Sequence, residues 1–272
     1  METTMTAHQV VSKEQWLDAR RALLAKEKQL TRQHDEIARE RRKLPWVRIE
    51  KEYVFDSLRG KVTLGDLFGP HSQLLIYDFM FGPEWKEGCP SCSCILDTMD
   101  GSLLHLAARD VSLMLVSHAP LAKIEAFKKR MGWRTPWVSS FGTDFNRDFH
   151  SSFTPEQKAK GKVDYNYTMQ EFPSDEAPGA SVFYKDPVTR EIFHTYSIYG
   201  RGLDQFFGTY ILLDLVPKGR DEDQLKFSME WVRHHDRYDG GDFLDADKPY
   251  WPKLDAGTAA STSSSGGCGC GS

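Results

Sequence analysis

The chain has 272 residues, enough for one large domain with additions or for two small ones. Its hydrophobic content of 40% and aromatic content of 12% can fill a sizeable core, while a net charge of −4 gives no bulk attraction for nucleic acid or an acidic membrane. No apolar run approaches the ~20 residues that span a bilayer, and Met1 to His8 lack the apolar stretch of a secretory signal, so a soluble cytoplasmic protein is expected.

In chain order, residues 12–43 read as one long helix, with Ser12 as N-cap and Gln15 completing a capping box. Trp16, Leu23, Leu30, Ile37 and Leu44 recur every seven residues, and Pro45 ends the segment. The stripe is narrow, and Arg20, Glu27 and His34 between its members are not coiled-coil core residues. It suits a helix lying on the surface of its own domain or, on the same pattern, a homodimer contact. The expected organisation is a helical extension over 1–47, a main domain over 48–250 and a disordered Gly/Ser-rich tail over 251–272.

Residues 46–72 look like strand and turn, with Tyr53-Val54-Phe55 and then Gly60 to Leu64. The run from Leu74 to Phe81 is almost continuously apolar, as a central strand covered on both faces should be. Asp78 is the exception. A buried carboxylate near a dithiol would take the proton of a resolving thiol; the plainer reading is a hydrogen-bonded strand end.

Next comes Gly88-Cys89-Pro90-Ser91-Cys92-Ser93-Cys94, opening a helical pattern. Pro90 fits the first helical position, which leaves Cys89 at the cap. The partial positive charge and free N–H groups of a helix N-terminus favour a thiolate there. Such placement lowers a cysteine pKa from ~8.5 into the range ~3.5–7.5. Cys92, Ile95, Leu96, Met99, Leu103 and Leu106 share one face, so Cys92 is the inner partner. Cys89 is thus the expected attacking thiolate, Cys92 the resolving thiol and Cys94 a spectator or redox sensor, with a kink or restart of the helix at Gly101.

A second buried-type strand, Val111 to Val116, leads to a helix carrying Leu121, Ile124, Phe127 and Met131 on one side and ended by Gly132. Strand, helix, strand, helix with short links implies a parallel sheet built by a right-handed crossover. Trp137 to Phe141 reads as a short strand or loop lead-in. Residues 142–180 form a long insertion with a strand near 165–170; its aromatics, Phe145, Phe149, Phe153, Tyr165 and Tyr167, either anchor the loop or line a groove. Ser181 to Lys185 and Ile192 to Ile198 flank a polar turn and form a β-hairpin. Two helices follow, around Leu203 to Asp214 and over Leu225 to His235. His234-His235-Asp236 reads as a solvated helix end rather than a metal site, because adjacent residues on a helix point apart. The tail ends in Cys268-Gly269-Cys270, read as inert, although a dithiol there has the length of chain to visit the main site.

The order strand, C-x-x-C helix, strand, helix, hairpin, helix resembles the thioredoxin fold. Closer still is the resemblance to the DUF899 family of thioredoxin-like proteins, predicted dithiol–disulfide oxidoreductases. It is carried by Tyr77-Asp78-Phe79-Met80-Phe81-Gly82-Pro83-Glu84-Trp85, Gly88-Cys89-Pro90-Ser91-Cys92, Met131-Gly132-Trp133-Arg134 and Trp137-Val138-Ser139-Ser140-Phe141-Gly142, within a likeness spanning about residues 10–240. The resemblance implies an α/β, thioredoxin-like fold: a central mixed sheet flanked by helices, with a long N-terminal helix and an insertion before the C-terminal hairpin. Asp78 and Trp85 map only loosely onto thioredoxin's buried aspartate and pre-motif tryptophan. Pro178 is the nearest counterpart of its cis-proline. A peroxiredoxin has threonine three residues before its cysteine, where this chain has Lys86.

The expected activity is thiol–disulfide exchange on a protein or small-molecule disulfide, with catalytic residues Cys89, Cys92 and Asp78 and no cofactor, metal, nucleic acid or membrane partner. Two other uses fit the same residues. One is a thiolate metal-binding or metallochaperone protein, although C-x-x-C-x-C lacks a second well-placed ligand pair. The other is a thioredoxin-fold binding module without turnover.

Overall fold

The computed structural model describes residues 8–238. Cys268, Cys270 and the rest of the Gly/Ser-rich tail lie outside the described residues, as does the expected boundary at 250. The chain divides into two compact units after Val47.

The first unit is built on helix α1 (Lys13–Arg41), capped as its sequence dictates. The Ser12 hydroxyl accepts the Gln15 N–H, and the Gln15 side chain accepts the Ser12 N–H in return. None of its residues is buried.

The second unit begins with Arg48 of the short strand β1 (Val47–Arg48) and the hairpin β2 (Val54–Ser57) and β3 (Gly60–Thr63). Thr63 then caps a single helical turn, α2 (Leu64–Leu67), in a reciprocal box with Asp66. The reading of 46–72 as strand and turn includes no helix here; Thr63 and Asp66 are the signal for it. Strand β4 (Gln73–Asp78) leads through a loop to α3 (Pro90–Met99), which passes by a 3₁₀ turn at Asp100–Ser102 into α4 (Leu103–Ala107). The expected restart at Gly101 is therefore present. Strand β5 (Val111–Ser117) and helix α5 (Leu121–Met131) follow, and Gly132 closes the helix at a φ of 69°.

After β6 (Trp137–Ser139) the insertion holds α6 (Phe145–Asp148), α7 (Pro155–Ala159) and a small hairpin, β7 (Val163–Tyr165) with β8 (Thr168–Gln170). Phe145, Phe149, Phe153 and Tyr165 are buried and anchor this segment; Tyr167 is exposed. The C-terminal hairpin is β9 (Gly179–Lys185) with β10 (Ile192–Tyr199), followed by a 3₁₀ segment and α8 (Gly208–Leu213).

The main sheet runs β10-β9-β4-β5-β6-β2-β3, with β1 beyond β10. Strand β4 is parallel to β5, and β5 to β6, while β9 is antiparallel to β4 and to β10. This is the thioredoxin-like arrangement, with the strand that precedes the cysteines at its centre. Helices cover both faces, which is why β4 reads as an unbroken apolar run. Leu75, Tyr77 and the following Phe79 pack with Cys92, Ile95, Leu96 and Phe127. Leu74 and Ile76 pack on the other side with Phe55, Val116, Phe145 and Phe183.

One expected element does not form. Residues 225–235 are a chain of turns, and only His235–Arg237 make a short 3₁₀ turn. The Glu222 carboxylate gathers the Met229 N–H at 2.9 Å, the Trp231 indole N–H at 2.7 Å and the Tyr210 hydroxyl, and Met229 takes a φ of 71°. These bonds compete with helical ones, so the apolar spacing of this stretch is satisfied by a loop that tucks Val232 into the core.

Candidate active site

Cys89 is the N-cap of α3, with φ −61° and ψ 130°, and Pro90 occupies the first helical position. Its thiol is half-buried, whereas Cys92 is 1% exposed and lies one turn inside the helix. All three cysteines of the motif are free thiols. The Cys89 thiol is lowered to about 7, first by the hydrogen-bonding Cys92 thiol and then by the backbone N–H groups of Cys92 and Ser91, with burial opposing. At neutral pH about half of such a group is thiolate, against a few per cent for an ordinary cysteine. Burial, aided by the neighbouring Cys89, holds the Cys92 thiol well above its usual value. The two environments therefore push one pair of like groups in opposite directions, as an attacking and a resolving thiol require.

Cys94 points elsewhere. It is buried, its sulfur is 3.6 Å from the Thr209 hydroxyl of α8, and burial raises its pKa. Among the described residues no group of three or more His, Cys, Asp or Glu side chains is placed to hold a metal ion.

Asp78 is not brought to the dithiol. Side chains alternate along a strand, so Asp78 shares the face of Leu74 and Ile76, opposite the one that packs on α3. It is 1% exposed, and among the described residues neither oxygen has a hydrogen-bond partner. Burial pushes its carboxyl up to about 7; the Ser151 hydroxyl opposes that rise and Glu176 adds to it. The residue that does face Cys92 is Tyr77. Its ring packs in the same cluster, its buried hydroxyl has no oxygen or nitrogen partner, and it eases the Cys92 thiol downward. Strand parity alone distinguishes Tyr77 from Asp78, and a reading guided by the unusual charge passes over it.

The loop from Gly82 to Gly88 carries the chain from β4 to Cys89. Lys123 of α5 donates to the Pro83 and Trp85 carbonyls and holds it in place. Gly88 sits where no side chain fits: a Cβ would lie 2.6 Å from a Phe79 ring carbon and 2.7 Å from one of Phe127. Gly88→Ala should therefore destabilise the protein by about 1–3 kcal/mol in urea unfolding and slow alkylation of Cys89, because the aromatic rings must shift and carry the loop with them.

His234 was read as solvated and is instead 2% exposed. Its Nε2 lies 2.8 Å from the Gly88 carbonyl oxygen and its Nδ1 lies 3.1 Å from an Arg130 guanidinium nitrogen. The reading failed because it assumed a helix that the chain does not form. His235 meets Asp97 of α3 at 2.7 Å and is half-buried. Pro178 precedes β9 directly, its carbonyl accepting the Tyr165 hydroxyl at 2.7 Å; no peptide bond among the described residues is cis.

The profile of a family described as "Bacterial protein of unknown function (DUF899)" matches residues 5–238. The chain belongs to the DUF899 family. No curated protein matches the DUF899 chain by sequence. Among solved structures it is similar to peroxiredoxin Q of Xanthomonas campestris at 13% identity, covering 57% of this chain and 86% of that one with a TM-score of 0.37. It is also similar to the peroxidoxin BcpB of Mycobacterium tuberculosis at 12% identity, covering 61% and 95% with a TM-score of 0.38. Likeness at that level carries no argument about chemistry, which rests on this DUF899 chain's own residues. Among those described, no helix is long and apolar enough to cross a membrane.

Proposed function

We propose that the protein is a dithiol–disulfide oxidoreductase working through Cys89 and Cys92. The observation that supports it best is the placement of two free thiols one helical turn apart, the outer one half-buried at the helix N-terminus and the inner one sealed. The Cys89 thiolate attacks one sulfur of a substrate disulfide, the substrate S–S bond breaks, and the first substrate sulfur leaves as a thiolate. Cys92 then gives up its proton to a departing substrate thiolate and attacks the Cys89 sulfur. That step releases the second substrate sulfur and leaves a Cys89–Cys92 disulfide, two electrons having passed to the substrate. Substrates are protein or small-molecule disulfides able to reach a half-buried thiol.

Metal binding is less well supported, because Cys94 turns toward Thr209 rather than toward the pair. Lys86, at the position three residues before Cys89, is exposed and supplies no hydroxyl for peroxide reduction. The test is limited alkylation of the reduced protein. Cys89 should react at least about tenfold faster than Cys92 or Cys94 at pH 7, with a rate that climbs through a midpoint near 7. Oxidation should give a Cys89–Cys92 disulfide in peptide maps. Equal, slow labelling of the three thiols would remove the proposal.

A further inference from the structure

The Gly88–Cys89 peptide is held at both poles. Its N–H, on Cys89, donates to the Met80 carbonyl at 3.0 Å. Its C=O, on Gly88, faces His234 Nε2 at 2.8 Å. The tautomer follows from the neighbours. Arg130 can only donate, so Nδ1, 3.1 Å from its guanidinium, is the acceptor, and Nε2 carries the hydrogen that bonds Gly88. Burial lowers the His234 pKa, with help from the Arg130 and Arg237 charges, against the Gly88 carbonyl and Glu87, whose carboxylate lies 3.7 Å from Nδ1.

The histidine is itself fixed. Arg130 of α5 bonds both oxygens of Asp236, at 2.8 and 2.9 Å, and Glu87 at 2.7 Å, while Arg237 bonds the other Glu87 oxygen at 2.7 Å. The Phe127 ring meets the imidazole edge to face at 5.2 Å. A strap from near the end of the described chain is thus pinned to α5 and to the loop before Cys89, with one buried contact on the peptide that aims the cap residue.

We propose that His234 is the positioning residue of the dithiol: its Nε2–H holds the Gly88 carbonyl so that the Cys89 sulfur faces the N-terminus of α3. The inference rests on the dithiol reading of Cys89 and Cys92 and adds a residue 145 positions downstream of Cys89. The Cys89 backbone is also held, its N–H by the Met80 carbonyl and its C=O by Ser93. The Cys89 side chain makes no well-formed capping bond, and Gly88 has no side chain to brace the loop, so the Gly88 carbonyl is the remaining handle on the rotation of this peptide. Releasing the carbonyl lets the sulfur swing away from the N–H groups of Ser91 and Cys92, which help keep it ionised.

The test compares two substitutions in the full chain. In His234→Asn the amide oxygen replaces Nδ1 as acceptor for Arg130, but nothing reaches Gly88. His234→Gln supplies both an acceptor and a donor long enough for the carbonyl. Iodoacetamide alkylation of Cys89 is followed from pH 5 to 10. With H234N the midpoint should move from about pH 7 to about pH 8, so the rate at pH 7 falls about fivefold while the rate at pH 10 is unchanged. With H234Q the wild-type profile should return to within about twofold.

An H234N profile that overlies the wild type overturns the inference, as does a rate lowered equally at every pH in both variants, which is the mark of a packing role. If H234N does not fold, Arg130→Lys carries the test. It loosens the histidine without removing it and should give a midpoint between those of wild type and pH 8, and an unmoved midpoint counts against the inference. Slow wild-type labelling of Cys89 is a different result. It removes the dithiol reading, and the positioning role with it.

Discussion

Asp78→Asn should stabilise the protein at alkaline pH and leave it nearly unchanged at pH 4. The carboxyl is buried without a hydrogen-bond partner among the described residues, and burial lifts it to about 7 in the folded state, against about 3.9 in an unfolded chain. Between those values the folded protein keeps a proton that the unfolded chain has released. Stability therefore falls as pH rises through this window and levels off above the folded value. A gap of about three pH units corresponds to about 4 kcal/mol at full ionisation. Asparagine has the same shape and no charge to desolvate, so the variant should gain up to about 4 kcal/mol over wild type at pH 8.5 and little at pH 4. Urea unfolding of both proteins at the two pH values measures the difference. A gain of equal size at both would show that the folded carboxyl titrates as the unfolded one does, and a loss at pH 8.5 would show that the carboxylate has a partner; either result overturns the expectation. Because Asp78 lies across the sheet from Cys92, the substitution should also leave the alkylation profile of Cys89 in place, which a proton acceptor for the dithiol would not.

The second large effect concerns the inner thiol. If the proposed exchange reaction is right, Cys92→Ser should stop turnover with a disulfide substrate, by a factor on the order of 10³, and leave the protein covalently attached to that disulfide's sulfur through Cys89. The adduct is stable because, among the described residues, the buried sulfur one turn from Cys89 has gone and Cys94 faces Thr209. Mass spectrometry of the variant mixed with an aromatic disulfide should show one adduct, mapped to Cys89. The Cys92 hydrogen bond is the first cause of the lowered Cys89 thiol, and the serine hydroxyl can still donate it, so the adduct should form at pH 7 at a rate close to that of the initial attack by wild type. An adduct on Cys94, or undiminished turnover, would reassign the resolving role.

Much of the fold was legible because local and global signals agree in it. The apolar run of β4, the C-P-S-C opening of α3, the glycine after α5 and the polar turn between β9 and β10 each state their element in local terms. The same holds for the Ser12–Gln15 box. Within the site, Cys89 and Cys92 were legible because helix periodicity separates an outer from an inner thiol. Asp78 misled because a charge in an apolar strand draws attention without saying which face it takes. Counting alternate residues from Tyr77 would have placed it on the side away from α3. His234 was hidden for another reason. The contact joins residues 88 and 234 through a loop whose shape depends on Glu222 gathering three donors. No periodic pattern encodes such a long-range closure, and the apolar spacing of 225–235 argued for a helix instead.

Strand β4 acts as a partition. The two thiols sit on the side of Tyr77, and the unpaired acid sits on the side of Asp78, with one strand's thickness of backbone between them. Sequence change on one side leaves the other nearly untouched. A lineage could retune its thiols through α3 and the histidine strap without altering its response to alkali, or shed the acid and leave the thiols as they are.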